Sequence, residues 1–402
     1  MVILQFVLLC MLTLTKPFTF ATGLKCSNCQ RAYPLLFIQT YATCCDQPLT
    51  VEYELLQNLP KTFNAVHSGD MWRYSSLLPV EKYANIVSLG EGMTPLFSLN
   101  KMANLYGFSK VLMKDESFNP TGSFKARGLS VAISKAKEFG ITHCIIPTAG
   151  NAGGALAAYC AKADIECTVV MPTHTPDIFK QECKLYGAEL ILVSGLINDC
   201  AKKIMEMNHD KHYFDMSTLK EPYRLEGKKT MAYEIAEQLN WQLPDVIIYP
   251  AGGGTGLIGI WKAFKEMKAL GWIRGTLPRM IAVQSEECAP ILYALKDPAN
   301  WKKNFIPKPT VANGLAVPYP FGMNMMLKVL KESGGTAVAV SEEAIAAGMK
   351  EIAKREGLLI SPEGAATWKA FLYLVKNKKI DPSEKVLLLN TGTGYKYLEN
   401  FR

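Results

Sequence analysis

The sequence predicts an α/β protein whose largely parallel sheets are covered by helices. Three observations carry this. Short β-branched apolar runs recur along the chain, they are continuously apolar instead of alternating, and longer segments of helical period separate them. From residue 111 onward the strand candidates are CIIPT (144–148), CTVVMP (167–172), ELILV (189–193), DVIIYP (245–250), MIAVQS (280–285), TAVAV (336–340) and KVLLLN (385–390). The intervening segments carry helix-end signals. After TAVAV, Ser341 can cap a helix with Glu342 and Glu343 in its first turn, and Gly357 follows Lys354 and Arg355 at its end. With 402 residues, 49% of them hydrophobic, the chain can bury a large core arranged as two lobes.

Charge excludes one class of partner. The formal balance is +8, but the basic residues are dispersed among acidic ones, which is not the footprint of a nucleic-acid-binding face. An anionic small substrate makes better use of the excess. The N-terminal stretch MVILQFVLLCMLTLTKPFTFATG is an apolar run with no preceding cation and a small-residue site after it. It is short for a membrane span. A misassigned start, a signal peptide and a short anchor are the alternatives for residues 1–24. Of eleven cysteines, Cys144, Cys160, Cys167, Cys183, Cys200 and Cys288 fall in apolar patterns and are expected in the core. Cys26 and Cys29, followed by the adjacent Cys44 and Cys45, suggest a zinc ribbon over 25–60. Adjacent cysteines do not readily reproduce the C-x-x-C turn, so a vestigial ribbon without metal is expected.

Three loops can carry chemistry, each after a strand: TAGNAGG (148–154), AGGGTGLIG (251–259) and NTGTGYKY (390–397). In the second, four glycines in five positions let successive N–H groups converge at a helix N-terminus, which makes a phosphate cradle. It lacks the Gly-Lys-Ser/Thr ending of a P-loop and the spacing of a dinucleotide fingerprint. Lys125 stands in the rigid stretch SFNPTGSFKARG (117–128). A phosphate cradle and such a lysine are the two parts that hold pyridoxal 5'-phosphate.

The motifs SLGEGMTPL, NPTGSFKARG, AGNAGG, GGGTGLIGIWKAF, SPEGAAT and NTGTGYKY, in this order, resemble those of fold-type II pyridoxal-phosphate enzymes, and the set is most similar to that of the threonine synthases. The resemblance runs from about Lys25 to the end. It implies a two-lobed, tryptophan synthase β-like fold, with a large cofactor-binding domain over 61–125 and 241–402 and a smaller α/β domain over 126–240. It also implies site residues. Lys125 would form the Schiff base, Asn151 would meet the cofactor's ring hydroxyl, and Gly252, Gly253, Gly254, Thr255 and Gly256 would hold its phosphate. Thr391 would face the ring nitrogen, and Thr148, Asn151 and Ala152 would receive the substrate carboxylate.

One stretch departs from the pattern. Many threonine synthases have an Asn-Ser pair shortly before PYR, where this chain reads STLKEPYR, leaving Thr218 and Arg224 as the candidate contacts to a substrate phosphate. The implied reaction is conversion of O-phospho-L-homoserine and water to L-threonine and phosphate. The alternatives are a serine or threonine dehydratase, a β-replacement enzyme such as a cysteate synthase acting on phosphoserine and sulfite, and a catalytically silent binding protein. A homodimer working in the cytoplasm is expected, with export as the alternative if the leader is a signal.

Overall fold

The computed structural model describes residues 18–55, 61, 69–210, 212–303 and 305–401. The leader expected over 1–24 therefore lies outside the described residues up to residue 17. Its last residues lie in strand β1 (Ala21–Cys26), which pairs antiparallel with β2 (Ala32–Tyr33) and β3 (Leu49–Tyr53), with Leu24 opposite Val51 and both buried. Of residues 21–24, Ala21, Gly23 and Leu24 pair in this ladder and Leu24 is buried.

Two further sheets form the body. Chain order runs β4 (Leu96–Ser98), α1 (Asn100–Leu105), β5 (Val111–Asp115), α2 (Lys125–Glu138), β6 (His143–Pro147), α3 (Asn151–Ala163), β7 (Glu166–Pro172), α4 (Asp177–Leu185), β8 (Glu189–Val193), α5 (Ile197–Met207) and β9 (Phe214–Asp215). It continues with α6 (Tyr223–Gln238), β10 (Val246–Pro250), α7 (Thr255–Ala269), β11 (Arg279–Ser285), α8 (Pro290–Lys296), α9 (Met323–Glu332), β12 (Thr336–Val340), α10 (Glu342–Glu356), α11 (Pro362–Lys376) and β13 (Val386–Asn390). Strands β8-β7-β6-β9 make an all-parallel sheet, and β12-β11-β10-β13-β5-β4 a second one in which only β4 runs antiparallel. Every residue of β10 and β13 is buried, as continuous apolar strands between two helical layers must be.

The local signals hold. Ser341 accepts from the Ala344 N–H at the start of α10, and Gly357 closes it in the left-handed region. The six cysteines assigned to the core are buried. No helix among the described residues is long and apolar enough to cross a membrane.

A buried charge cluster sets the start of α2. Arg127 bonds Glu116, which follows β5, and Glu234 on α6, while Lys114 on β5 bonds Glu234 at 2.8 Å. Burial opposes ionisation of Glu234, but Arg127 and Lys114 outweigh it and draw its carboxyl down to about 2. The second cation of the Lys125 stretch is thus a structural clamp, joining a sheet, a loop and two helices two residues from Lys125.

Candidate active site

The loops after β6, β10 and β13 end on one cleft, and the loop before α2 closes it. Phe124 N–H donates to the Thr391 carbonyl, and Thr393 N–H to the Gly122 carbonyl, so the β13 loop sets the Lys125 loop in place. Lys228 on α6 adds a bond from its Nζ to the Phe124 carbonyl at 2.6 Å and lies 3.6 Å from that residue's ring centre.

Lys125 keeps partial access to solvent through the cleft, and no hydrogen bond or ion pair of its amine is present among the described residues. Burial pushes its pKa down to about 8, the positive charge of Arg224 pushes the same way, and Glu363 opposes them. Glu363 is anchored by the Gly314 N–H at 2.7 Å and the Tyr397 hydroxyl at 3.3 Å. Lys228 is driven still further down, by burial first and then by Lys125 and Arg224.

The glycine loop is shaped by close approach. A Cβ on Gly252 would sit 2.1 Å from the Gly314 carbonyl oxygen, and one on Gly253 would sit 2.7 Å from Thr218. Gly254 has φ of +82° with the Met326 sulfur where a side chain would go, and Gly256 meets the Tyr249 hydroxyl. From Gly252 to Leu257 no backbone N–H has a protein acceptor among the described residues; the first is that of Ile258, on the Gly254 carbonyl. Free donors at the start of a 15-residue helix are what an anion needs.

Opposite them, Thr148 and Gly150 exchange hydrogen bonds at the head of α3, with Asn151 and Ala152 as its first residues. Lys396 Nζ donates to Asn151 Oδ1 at 3.1 Å while holding Glu182 and the Thr121 carbonyl. That bond takes up the oxygen end of the Asn151 amide and so fixes which way the amide faces. Thr218 lies on the cleft wall, and Arg224, just behind, donates from Nη2 to Thr218 Oγ1 at 2.9 Å. Glu221 accepts from the Tyr223 and Arg224 N–H groups and faces the Arg224 guanidinium at 3.2 Å. Burial raises Glu221 to about 7 against the pull of Arg224.

Of the residues expected from sequence, Lys125, Thr148, Asn151, Ala152, Thr218, Gly252, Gly253, Gly254, Thr255 and Thr391 line this one cleft. Gly256 and Arg224 do not line it; Gly256 seats α7 on Tyr249, and Arg224 acts through Thr218 and its charge. Sequence reading passed over Glu363, Lys228 and Lys396. Glu363 sits inside SPEGAAT and Lys396 inside NTGTGYKY, and Lys228 lies four residues after STLKEPYR, but only spatial contact distinguishes these charges from surface ones.

Comparison with known proteins agrees with this geometry. Residues 87–392 match the model of a family described as pyridoxal-phosphate dependent enzymes. The chain is 35% identical to a threonine synthase of Methanocaldococcus jannaschii over 81% of this chain and 80% of that one. It is 33% identical to a threonine synthase of Methanosarcina acetivorans over 92% and 91%. Among solved structures, threonine deaminase isoform 2 of Solanum lycopersicum superposes with a TM-score of 0.64 at 20% identity, covering 86% of this chain and 96% of that one. An O-ureido-L-serine synthase gives 0.63 at 22%, covering 77% and 92%. The structural likenesses establish the two-lobed fold alone.

Proposed function

Since the chain belongs to the family of pyridoxal-phosphate dependent enzymes, in which threonine synthases are among its relatives, we propose that it converts O-phospho-L-homoserine and water to L-threonine and phosphate. Pyridoxal phosphate is its cofactor. The residues present fit that group: a lysine amine with depressed basicity, a run of unaccepted N–H groups at a helix start, and a glycine loop packed so closely on Gly314, Thr218, Met326 and Tyr249 that no side chain has room. Lys125 would hold its carbonyl carbon, residues 252–256 its phosphate, Asn151 its ring hydroxyl and Thr391 its ring nitrogen. When bound, the cofactor supplies the electron sink for charge left at the substrate's Cα, and a hydroxyl partner such as Thr391 makes that sink milder than an aspartate would.

The protein's own groups do the rest. The head of α3, with Thr148, Asn151 and Ala152, receives the substrate carboxylate against unpaired N–H groups and the helix dipole. The Lys125 amine takes the proton at Cα and then one at Cβ, a task suited to a base near 8. Thr218, held by Arg224, meets the phosphate that leaves Cγ; a proton returns to Cγ to give the methyl group, water adds at Cβ, and a proton returns to Cα.

One observation carries the choice of reaction: Arg224 is close enough to lower the basicity of Lys125 while bonded to Thr218 on the cleft wall. A dehydratase acting on an unphosphorylated amino acid has no use for that cation. Both the cofactor and the substrate are made inside cells, which supports a cytoplasmic site of action. The test is phosphate release from O-phospho-L-homoserine with threonine as co-product, run beside phosphoserine plus sulfite and beside free threonine. Faster turnover of either alternative would overturn the assignment.

A further inference from the structure

The N-terminal sheet holds a feature that the cofactor chemistry does not use. The sulfurs of Cys26, Cys29, Cys44 and Cys45 all lie within 4.8 Å of one another, and those of Cys29 and Cys44 are 3.4 Å apart. A tetrahedral four-thiolate zinc, with Zn–S of about 2.3 Å, has sulfur–sulfur edges of about 3.8 Å, so the cluster already has the required size. Two tight turns face each other across it. In the first, Gln30 N–H donates to the Cys26 carbonyl with Gln30 at φ of 64°, and Cys29 points back. In the second, Ala42 and Gln47 bridge, with Asp46 at φ of 48°. Adjacent side chains alternate faces in a strand but not in a turn, and that is how Cys44 and Cys45 reach one point. The expectation of a vestigial ribbon rested on adjacent cysteines not reproducing a C-x-x-C turn, yet here the chain turn itself brings the two sulfurs together.

We propose that Cys26, Cys29, Cys44 and Cys45 bind one zinc ion as a structural four-thiolate site. Cys26 is fully buried and the other three close the site from the surface side. All four positions are taken by protein, which leaves no open coordination for catalysis. On binding, the four thiols release their protons and no electron moves. The ion would lock the two turns to each other and so hold the sheet on the body. There Tyr53 hydroxyl donates to Glu226 on α6 at 2.8 Å, and Lys262 on α7 donates to the Val51 carbonyl at 2.6 Å. Tyr41, just before the second turn, sits over Lys220 and edge-on to Phe321. The sheet therefore braces the helix that carries Arg224 and the helix that begins at the glycine cradle.

The full-length protein, purified under reducing, chelator-free conditions and reconstituted with zinc chloride, should retain one zinc per chain after gel filtration. Cobalt in its place should give intense tetrahedral d–d bands together with thiolate-to-cobalt charge transfer. The double variant Cys44→Ser/Cys45→Ser should lose the bound equivalent. Wild-type protein that retains no metal, a Cys29–Cys44 disulfide in anaerobically purified protein, or undiminished zinc in the double variant would each overturn the site. Should the double variant not fold, the cobalt spectrum of wild-type protein decides alone: an octahedral or sulfur-poor spectrum refutes it. These readouts do not depend on turnover, so they stand or fall separately from the proposed reaction.

Discussion

Gly128 on α2 and Gly227 on α6 meet backbone to backbone. A Cβ on Gly227 would fall 1.9 Å from the Arg127 carbonyl oxygen and 2.8 Å from the Gly128 Cα, and one on Gly128 would fall 2.8 Å from the Arg224 carbonyl oxygen. This contact lets α6 bring Arg224 within electrostatic reach of Lys125 and Lys228 within a hydrogen bond of Phe124. Gly227→Ala must separate the helices, and overpacking of this kind costs about 1–3 kcal/mol or more. Urea unfolding should show that loss, together with weaker cofactor retention, whereas Gly69→Ala, with open space around it, should be silent. A Gly227→Ala protein as stable as wild type would remove the close contact from the account.

The Lys125 amine should titrate near 8 in protein freed of cofactor. Only the neutral amine captures the cofactor's carbonyl, so the capture rate should climb as pH rises through about 8, not through the ordinary lysine range near ~10.4. Arg224→Met removes a cation that lowers this pKa and should move the midpoint up; Glu363→Gln removes an anion that raises it and should move the midpoint down. Stopped-flow absorbance measures all three. Lys125→Ala should abolish borohydride trapping of the cofactor altogether.

Lys396 orients Asn151 without lining the cleft. Lys396→Met should free the amide to turn and leave Glu182 without its partner, weakening cofactor binding by roughly tenfold for about 1–2 kcal/mol. Equilibrium dialysis of cofactor provides the readout. An affinity unchanged from wild type would mean that Asn151 is oriented by something else.

Arg224→Lys keeps the charge but loses the planar fork that holds Thr218 on the cleft wall. The KM for O-phospho-L-homoserine should rise roughly tenfold or more, for a loss of about 1.5–3 kcal/mol, while slow deamination of free threonine changes far less. Equal losses on both substrates would detach Arg224 from the substrate phosphate.

Much of this was legible along the chain because it is local. The runs that became β7, β8, β10, β11, β12 and β13 are continuously apolar, and the cap at Ser341 and the stop at Gly357 are written in a few neighbouring residues. The glycines of 252–256 declared themselves by composition, since four glycines in five positions have few uses other than close approach, and Lys125 was singled out by its conjunction with that loop and the resembling motifs. The charges were not legible in this way. Arg127 and Arg224 look alike in sequence, yet one is a buried clamp between Glu116 and Glu234 and the other stands behind the cleft wall.

By itself, then, the sequence determined the alternation of strands and helices and the glycine-rich start of a helix, and it singled out the amine proposed to react, because these depend on neighbours within a few residues and on a few short motifs. Only the tertiary structure decided what surrounds that amine. Arg224 is 99 positions away in the chain and Glu363 is 238, and both reach Lys125 through helices seated by glycine contacts and sheet register. It also decided that four cysteines converge, because a turn at 42–47 turns two adjacent side chains toward one point. Electrostatic fields and ligand clusters depend on distance through space, and no local pattern along the chain encodes that distance.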